Sequence, residues 1–311
     1  MTNLVAVVGP TASGKSALGI TLAEAFNGEV ISCDSTAVYR GIDIGTDKVS
    51  VADRRLIPHH LIDVVEPDEV YSAARFATDA AAIAQAIAAR GRLPILVGGT
   101  GLYFRALVRG MFPGPARDEA LRARLERVAA RRGVESLHRW LSRVDPASGH
   151  RILPRDRKRL IRALEVYLLT GRPLTDHFDE TVSPLGDANV LVLGVRGSRD
   201  ALLSRVAARV DDQFARGVVA EVEALLAAGV PRSAHAFSGL VYRQVIEMLD
   251  GVRDEAATRA LIVRENMRYA KRQVTWFRKE PDVQWLESAA PDVVERAIAL
   301  VRAFLESHRR R

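Results

Sequence analysis

Five consecutive apolar residues, Leu4-Val5-Ala6-Val7-Val8, run directly into Gly9-Pro10-Thr11-Ala12-Ser13-Gly14-Lys15-Ser16, and a helical pattern follows. This is G-x-x-x-x-G-K-[ST] in the strand–loop–helix setting that the motif requires. The glycines let the backbone curl until successive N–H groups converge on phosphate oxygens. The helix behind the loop adds its positive end. Lys15 supplies a mobile charge, and the Ser16 hydroxyl is a candidate ligand for Mg²⁺, which prefers oxygen donors and keeps several waters. Gly9, Thr11, Ala12, Ser13, Gly14, Lys15 and Ser16 are therefore expected to hold the pyrophosphate end of a small molecule.

The rest of the first hundred residues alternates short apolar strands with helical stretches. Strands are predicted at Leu4–Val8, Glu29–Ser32 and Leu93–Val97, with an alanine-rich helix at Ala73–Ala89 ended by Gly91. Such alternation implies an α/β fold, a mainly parallel sheet with flanking helices of the P-loop NTPase-like kind. After Met111-Phe112-Pro113-Gly114-Pro115 the pattern becomes helical only, including Leu121–Arg132 and Arg155–Leu169. Asn189–Val195 then reads as a returning strand. The C-terminal part is helical at Arg199–Arg216, Val218–Ala228 and Ala256–Lys279. The expected organisation is an α/β core of residues 1–114 and 187–311, interrupted by an all-helical domain of residues 115–186. The tail from His308 to Arg311 is expected to fray.

Charge is distributed unevenly. The chain of 311 residues carries a net +7. Residues 117–172 hold 15 Lys and Arg against 7 Asp and Glu, whereas the remainder holds 30 against 31. A basic excess confined to the insertion is the footprint expected of a polyanionic partner. No apolar run approaches the roughly 20 residues needed to span a bilayer, and the N-terminus lacks the basic segment and cleavage site of a signal peptide. The single cysteine, Cys33, excludes an internal disulfide and a zinc site built from cysteines. A cytoplasmic protein, soluble and monomeric, is the expectation. Cys33 itself reads as a small buried residue, since nothing nearby would lower its pKa.

Phosphate-loop kinases and ATPases normally hold their metal with an acidic residue at the end of a second apolar strand. Here Pro94-Ile95-Leu96-Val97 runs into Gly98-Gly99-Thr100-Gly101 instead, which argues against nucleotide hydrolysis. The strand Glu29–Ser32 leads to Cys33-Asp34-Ser35. Strand C-termini line the ligand crevice of an open parallel sheet, so Asp34 is expected beside the phosphate loop. A turn-capping role for it is also open.

Taken in order, these segments resemble one family, the tRNA dimethylallyltransferases or tRNA isopentenyltransferases. The match runs from Gly9–Ser16 through Asp34-Ser35, Val38-Tyr39-Arg40-Gly41, Asp43-Ile44-Gly45-Thr46 and Pro58-His59-His60-Leu61-Ile62-Asp63. It continues through Val97–Tyr103, Arg159–Val166, Thr170-Gly171, Ala270-Lys271-Arg272-Gln273 and Thr275-Trp276. The resemblance implies transfer of a dimethylallyl group from dimethylallyl diphosphate to the exocyclic amine of the adenosine 3′ to the tRNA anticodon. A P-loop small-molecule kinase is the alternative reading.

By that resemblance Asp34, Thr100 and Arg209 are the catalytic residues. Asp34 is the general base, Thr100 donates to the bridging oxygen, and Arg209 holds the diphosphate with Lys15, Ser16 and Mg²⁺. Arg205 also fits the arginine pattern and is kept in reserve. Contact with the tRNA anticodon stem-loop is expected from Asp34, Ser35, Thr36, Ala37, Thr100, Arg122, Asp156, Arg157, Lys158, Arg159 and Leu160, and from Arg243, Lys271, Arg272, Gln273, Trp276 and Arg278.

Helical spacing carries part of this. Arg155, Arg159 and Arg162 share one face, while Leu160, Leu164, Tyr167 and Leu168 form the opposite, buried stripe. Further on, Met267, Ala270, Val274 and Phe277 are the buried stripe. Tyr269 and Trp276 lie beside a basic row where they could stack on bases or pack between helices. Two departures stand out: Val241 precedes Tyr242-Arg243 where the family commonly has glycine, and Arg268 is shifted by one from the family's Thr-Arg. His59, His60 and His177 read as structural.

Overall fold

The computed structural model describes residues 2–54 and 56–308. Of the tail expected to fray, residues 309–311 lie outside the described range. The chain folds as two compact units, residues 2–108 with 184–308, and residues 109–183.

The larger unit is built on a six-stranded sheet, parallel throughout. Its strands are β1 (Asn3–Val8), β2 (Gly28–Cys33), β3 (His59–His60), β4 (Leu93–Gly98), β5 (Asn189–Arg196) and β6 (Gln284–Glu287), in the order β3-β2-β4-β1-β5-β6. The central strands are apolar in unbroken runs because both faces are covered. Leu4, Ala6 and Val8 enter the core shared with Phe76 and Ala80, whereas Val5 and Val7 enter the core shared with Leu22 and Val301. The two edge strands had no sequence prediction. β3 is two residues long, and β6 buries only Leu286.

Helices α1 (Lys15–Ala25), α2 (Ala73–Ala89) and α3 (Gly101–Arg109) follow the first strands; α4 (Glu119–Arg132), α5 (Val134–Val144), α6 (Pro146–Arg151) and α7 (Arg157–Thr170) form the smaller unit. After β5 come α8 (Arg199–Ala215), α9 (Val218–Ala227), α10 (Tyr242–Leu249), α11 (Glu255–Phe277) and α12 (Val293–Ser307). Helices α3, α10 and α12 are additions to the sequence reading. Among the described residues no helix is long and apolar enough to cross a membrane.

The helical unit takes in residues 109–114, because Phe112 packs on its core and Gly110 passes so close to Val182 that a Cβ would sit 2.1 Å from the carbonyl oxygen. Three of its four helices, α4, α6 and α7, start on aspartates, while α5 starts on Gly133. Asp118 accepts from Leu121 N–H at 2.8 Å and Asp156 from Arg159 N–H at 3.2 Å. The helix predicted from Arg155 therefore begins two residues later, and Arg155 lies before the cap, paired with Glu135. Leu160 and Leu164 are core residues, but Leu168, predicted buried, is 40% exposed. Inside this unit the fully buried Glu165 accepts from Asp118 N–H, Arg122 and Arg162 at 2.9, 3.0 and 2.8 Å. Burial alone would raise the Glu165 pKa, but these donors more than offset it and hold it below the usual range.

Candidate active site

The phosphate loop owes its shape to three unusual backbone positions. Gly9 has φ 151°, and a Cβ there would lie 2.3 Å from the Val195 carbonyl oxygen. Ala12 has φ 61° and Gly14 φ 88°. Gly14 is the N-cap of α1 and offers no side chain, so the helix begins with amides left for a ligand. Lys15 Nζ donates to Pro10 O at 3.2 Å. Desolvation lowers the Lys15 pKa from 10.5 to about 8, against the opposing pull of Asp34; Arg209 lowers it further.

Opposite the loop, β2 and β4 run side by side to Cys33 and Gly98. The run Gly98-Gly99-Thr100-Gly101 is glycine-rich for space. A Cβ would meet the Cys33 carbonyl oxygen at 2.1 Å from Gly98, Gln273 at 2.1 Å from Gly99, and Trp276 at 2.3 Å from Gly101. This close passage sets Thr100 beside the end of β2. Thr100 Oγ1 accepts from Ser35 N–H at 3.1 Å, which leaves the hydroxyl proton for another partner. Burial pushes the Cys33 thiol well above its ordinary pKa, as a structural rather than nucleophilic cysteine requires.

Asp34 does cap a turn: its Oδ1 accepts from Thr36 N–H at 2.9 Å and from the Thr36 hydroxyl at 2.6 Å. The capping locks the carboxylate and leaves Oδ2 without a hydrogen bond among the described residues. Asp34, Lys15, Ser16, Thr11 and Arg209 line one cavity of about 470 Å³. Tyr269 of α11 faces the same space. Its phenol is pushed up to about 12, first by burial and then by the Asp34 charge, with the Thr100 hydroxyl pulling the other way.

The two arginines kept as alternatives part company here. Arg209 Nη1 donates to the Thr11 hydroxyl at 2.9 Å, and its Nη2 lies 3.0 Å from Asp47. Arg205 donates to Ala12 O at 3.2 Å and lines a second cleft with Ser13 and Gly14, which Arg209 also borders. Only Arg209 lines the cavity that contains Asp34.

With this geometry in view, the profile of the IPP transferase family matches residues 37–280. The chain belongs to that family. Its relatives include the tRNA dimethylallyltransferase of Geobacter sulfurreducens, 45% identical over 289 residues, which covers 93% of each chain. The solved tRNA isopentenylpyrophosphate transferase of Bacillus halodurans superposes with a TM-score of 0.75 at 37% identity, covering 99% of this chain and 98% of that one. A eukaryotic dimethylallyltransferase acting on tRNA reaches a TM-score of 0.82 at 27% identity, over 99% of this chain and 80% of that one. The parallel sheet with its phosphate loop is the P-loop NTPase-like fold of these transferases.

In this family member the expected tRNA residues fall into distinct groups. Ser35, Thr36, Ala37, Arg243 and Arg272 line the cavity with Asp34. Lys271 and Arg278 are exposed on α11 and at its C-terminal end. In the helical unit Lys158 is exposed with no ion-pair partner among the described residues, while Arg157 pairs with Glu126 and Arg159 with Asp156. Arg122 is turned to Glu165.

Three of the residues expected at the tRNA are engaged in packing or in holding loops, Gln273 among them although it also lines the cavity. Leu160 is fully buried and serves the core of the helical unit, so its side chain has no face for RNA. Gln273 is 6% exposed and clamps two loops: its Oε1 accepts from Thr11 N–H at 2.8 Å and its Nε2 donates to Gly99 O at 2.9 Å. Trp276 lies against Gly101 with the Arg105 guanidinium 4.7 Å from its ring centroid, which makes it a packing residue rather than a free stacking platform.

Residues given no task by the sequence also shape the site. Glu221 accepts from the N–H groups of Asp43 and Ile44 at 3.0 and 2.8 Å, and from the Tyr242 hydroxyl at 2.5 Å. Lys48, with its side chain buried, pairs with Asp43 and with Asp63 at 2.6 Å. Together they fix the loop that carries Asp47. Val241 sits on the cavity wall at φ 78°, ψ −64°, a strained conformation for a β-branched residue. The one signal for it in the sequence is a valine where the family commonly has glycine.

Proposed function

We propose that this chain transfers the dimethylallyl group of dimethylallyl diphosphate to tRNA, at the exocyclic amine of the adenosine 3′ to the anticodon. The observation that carries the reading is a single cavity with a cationic, amide-rich cradle on one wall and the Asp34 carboxylate on another. The bond from the allylic carbon to the bridging oxygen breaks, and its electron pair leaves on the diphosphate. The carbon–nitrogen bond forms, and the amine gives up a proton.

Each residue has a task in that exchange. Lys15, Arg209 and the first amides of α1 hold the diphosphate and take up its growing charge. The Thr100 hydroxyl, which accepts from Ser35 and lies against the Tyr269 phenol, turns its proton to the bridging oxygen in this reading. The unpaired Oδ2 of Asp34 receives the amine, orients it first and accepts its proton as the new bond forms. An ordinary aspartate is too weak a base to deprotonate the amine beforehand. The Ser16 hydroxyl, exposed in the first turn of α1, is a fitting donor for Mg²⁺, which would supply further charge neutralisation.

The acceptor base must leave its stack to enter such a cavity, at a cost of a few kcal/mol that is smaller in a loop than in a duplex. Arg243 and Arg272 at the cavity wall, with Lys158 of the helical unit and with Arg157 and Arg159 where phosphate displaces their carboxylate partners, are the cations that offset it through phosphate contacts.

The test is an incubation with Mg²⁺, radiolabelled dimethylallyl diphosphate and unmodified tRNA. Label in tRNA, mapped to that adenosine, is the expected result. ATP consumption without label in tRNA would instead identify a small-molecule kinase, and tRNA retention with neither would identify a binding protein.

A further inference from the structure

Asp47 has no place in the reaction just described, yet it points into the same cavity. Its carboxylate lies 3.0 Å from Arg209 and 3.8 Å from Arg216. The loop that presents it is held firmly. Glu221 caps the amides of Asp43 and Ile44, Gln213 donates to Gly45 O at 3.2 Å, and Tyr242 donates into Glu221. Asp47 itself has φ 53°, a left-handed conformation that a non-glycine residue adopts at some cost. A strained acidic residue on an over-determined loop, aimed at the arginine that reaches the phosphate loop, calls for a reason.

Charge supplies one. The cavity is lined by Lys15, Lys48, Arg209, Arg243 and Arg272 against Asp34, Asp47 and Glu265, and of these carboxylates it is Asp47 that pairs with Arg209. An entering diphosphate must compete with Asp47 for Arg209. The same competition acts in reverse after transfer, when the leaving group is free inorganic diphosphate and has to depart.

We propose that Asp47 is a positioning residue that acts through Arg209 as a built-in competitor of diphosphate, holding the guanidinium when the cavity is empty and drawing it back as the product leaves. The proposal rests on the reading of Arg209 as a diphosphate ligand. Asp47 takes no proton and touches no reacting atom. Its effect is to weaken the grip on diphosphate, so that binding is not so tight as to stall turnover.

The test compares the full-length protein with its Asp47→Asn and Arg209→Gln variants. It measures inorganic diphosphate binding with Mg²⁺ by calorimetry and product inhibition by diphosphate in the tRNA transfer assay. Loss of one charge-assisted competitor is expected to tighten diphosphate by about tenfold in Asp47→Asn. The inhibition constant should fall by a similar factor, and kcat and KM should fall together as release slows. A gain of affinity cannot arise from a damaged fold, so a merely structural role would not produce it. If Arg209→Gln weakens diphosphate while Asp47→Asn leaves it unchanged or weaker, the competitor role is overturned and the arginine assignment stands. If Arg209→Gln has no effect, the arginine assignment itself fails.

Discussion

The lowered pKa of Lys15 makes a prediction about protons that can be counted. Burial beneath the phosphate loop brings the ammonium down to about 8 in the free protein. A diphosphate bound beside it favours the charged form and should return the pKa to its ordinary range or higher. Free Lys15 is then mostly protonated at pH 7 and mostly neutral at pH 9. Binding of dimethylallyl diphosphate should accordingly draw little proton onto Lys15 at pH 7 and most of one at pH 9, where the diphosphate itself is fully ionised.

The assay is titration calorimetry in pairs of buffers with different ionisation heats, with Mg²⁺ present. It is run with and without an anticodon stem-loop that lacks the acceptor adenosine. Lys15→Arg, whose guanidinium stays charged throughout, should bind with no such uptake. The same shift has a consequence for folding. Between about pH 8 and 10.5 the unfolded chain holds more proton on Lys15 than the folded one. This residue alone therefore makes stability rise with pH through that window, and bound diphosphate should cancel the rise. Proton uptake that stays near zero at pH 9, or is equal in Lys15→Arg, would refute the reasoning.

Three further outcomes can be measured directly. Asp34→Asn keeps the side-chain shape and an acceptor for the Thr36 bonds, so turnover should drop by about 10²–10⁴ with tRNA affinity little changed; collapse of binding with normal turnover of the bound complex would remove the base assignment. At Val241 the usual order of alanine over glycine, about 0.5–1 kcal/mol, should reverse, because any Cβ at φ 78° bears about 1–3 kcal/mol of strain. Urea unfolding of Val241→Gly and Val241→Ala decides it, and an alanine variant as stable as the glycine variant would contradict the strain. Lys158→Gln and Lys271→Gln should each make the log–log salt dependence of tRNA binding shallower by about 0.7–0.9; an unaltered slope would exclude that lysine from phosphate contact.

The helical unit shows how far periodicity reaches. It marks Leu160 and Leu164 as core correctly, yet it also counts Leu168, which the end of α7 leaves in solvent. It groups Arg155, Arg159 and Arg162 on one face, but an aspartate cap excludes Arg155 from the helix, and Arg162 turns to the buried Glu165. Counting basic residues located the excess charge without telling which cations remain free. Three of those read as RNA-facing, Arg122, Arg157 and Arg159, have a carboxylate partner within this unit.

What the order of residues determined on its own is local. An apolar run followed by glycines at fixed spacing and Lys15-Ser16 can make little else than a strand, a phosphate loop and a helix start, since every contact involved spans a few residues. The same holds for β1, β4 and β5, whose unbroken apolar runs declare a sheet covered on both faces, whereas β2 has only Val30-Ile31 between Glu29 and Ser32. Tertiary structure alone decided the pairings that couple distant segments. Gln273 meets Thr11 across 262 positions, and Arg209 stands between Thr11 and Asp47. Such contacts depend on how helices α8 and α11 pack beside the sheet, and a side chain's partner there is set by summed packing rather than by any neighbour in sequence.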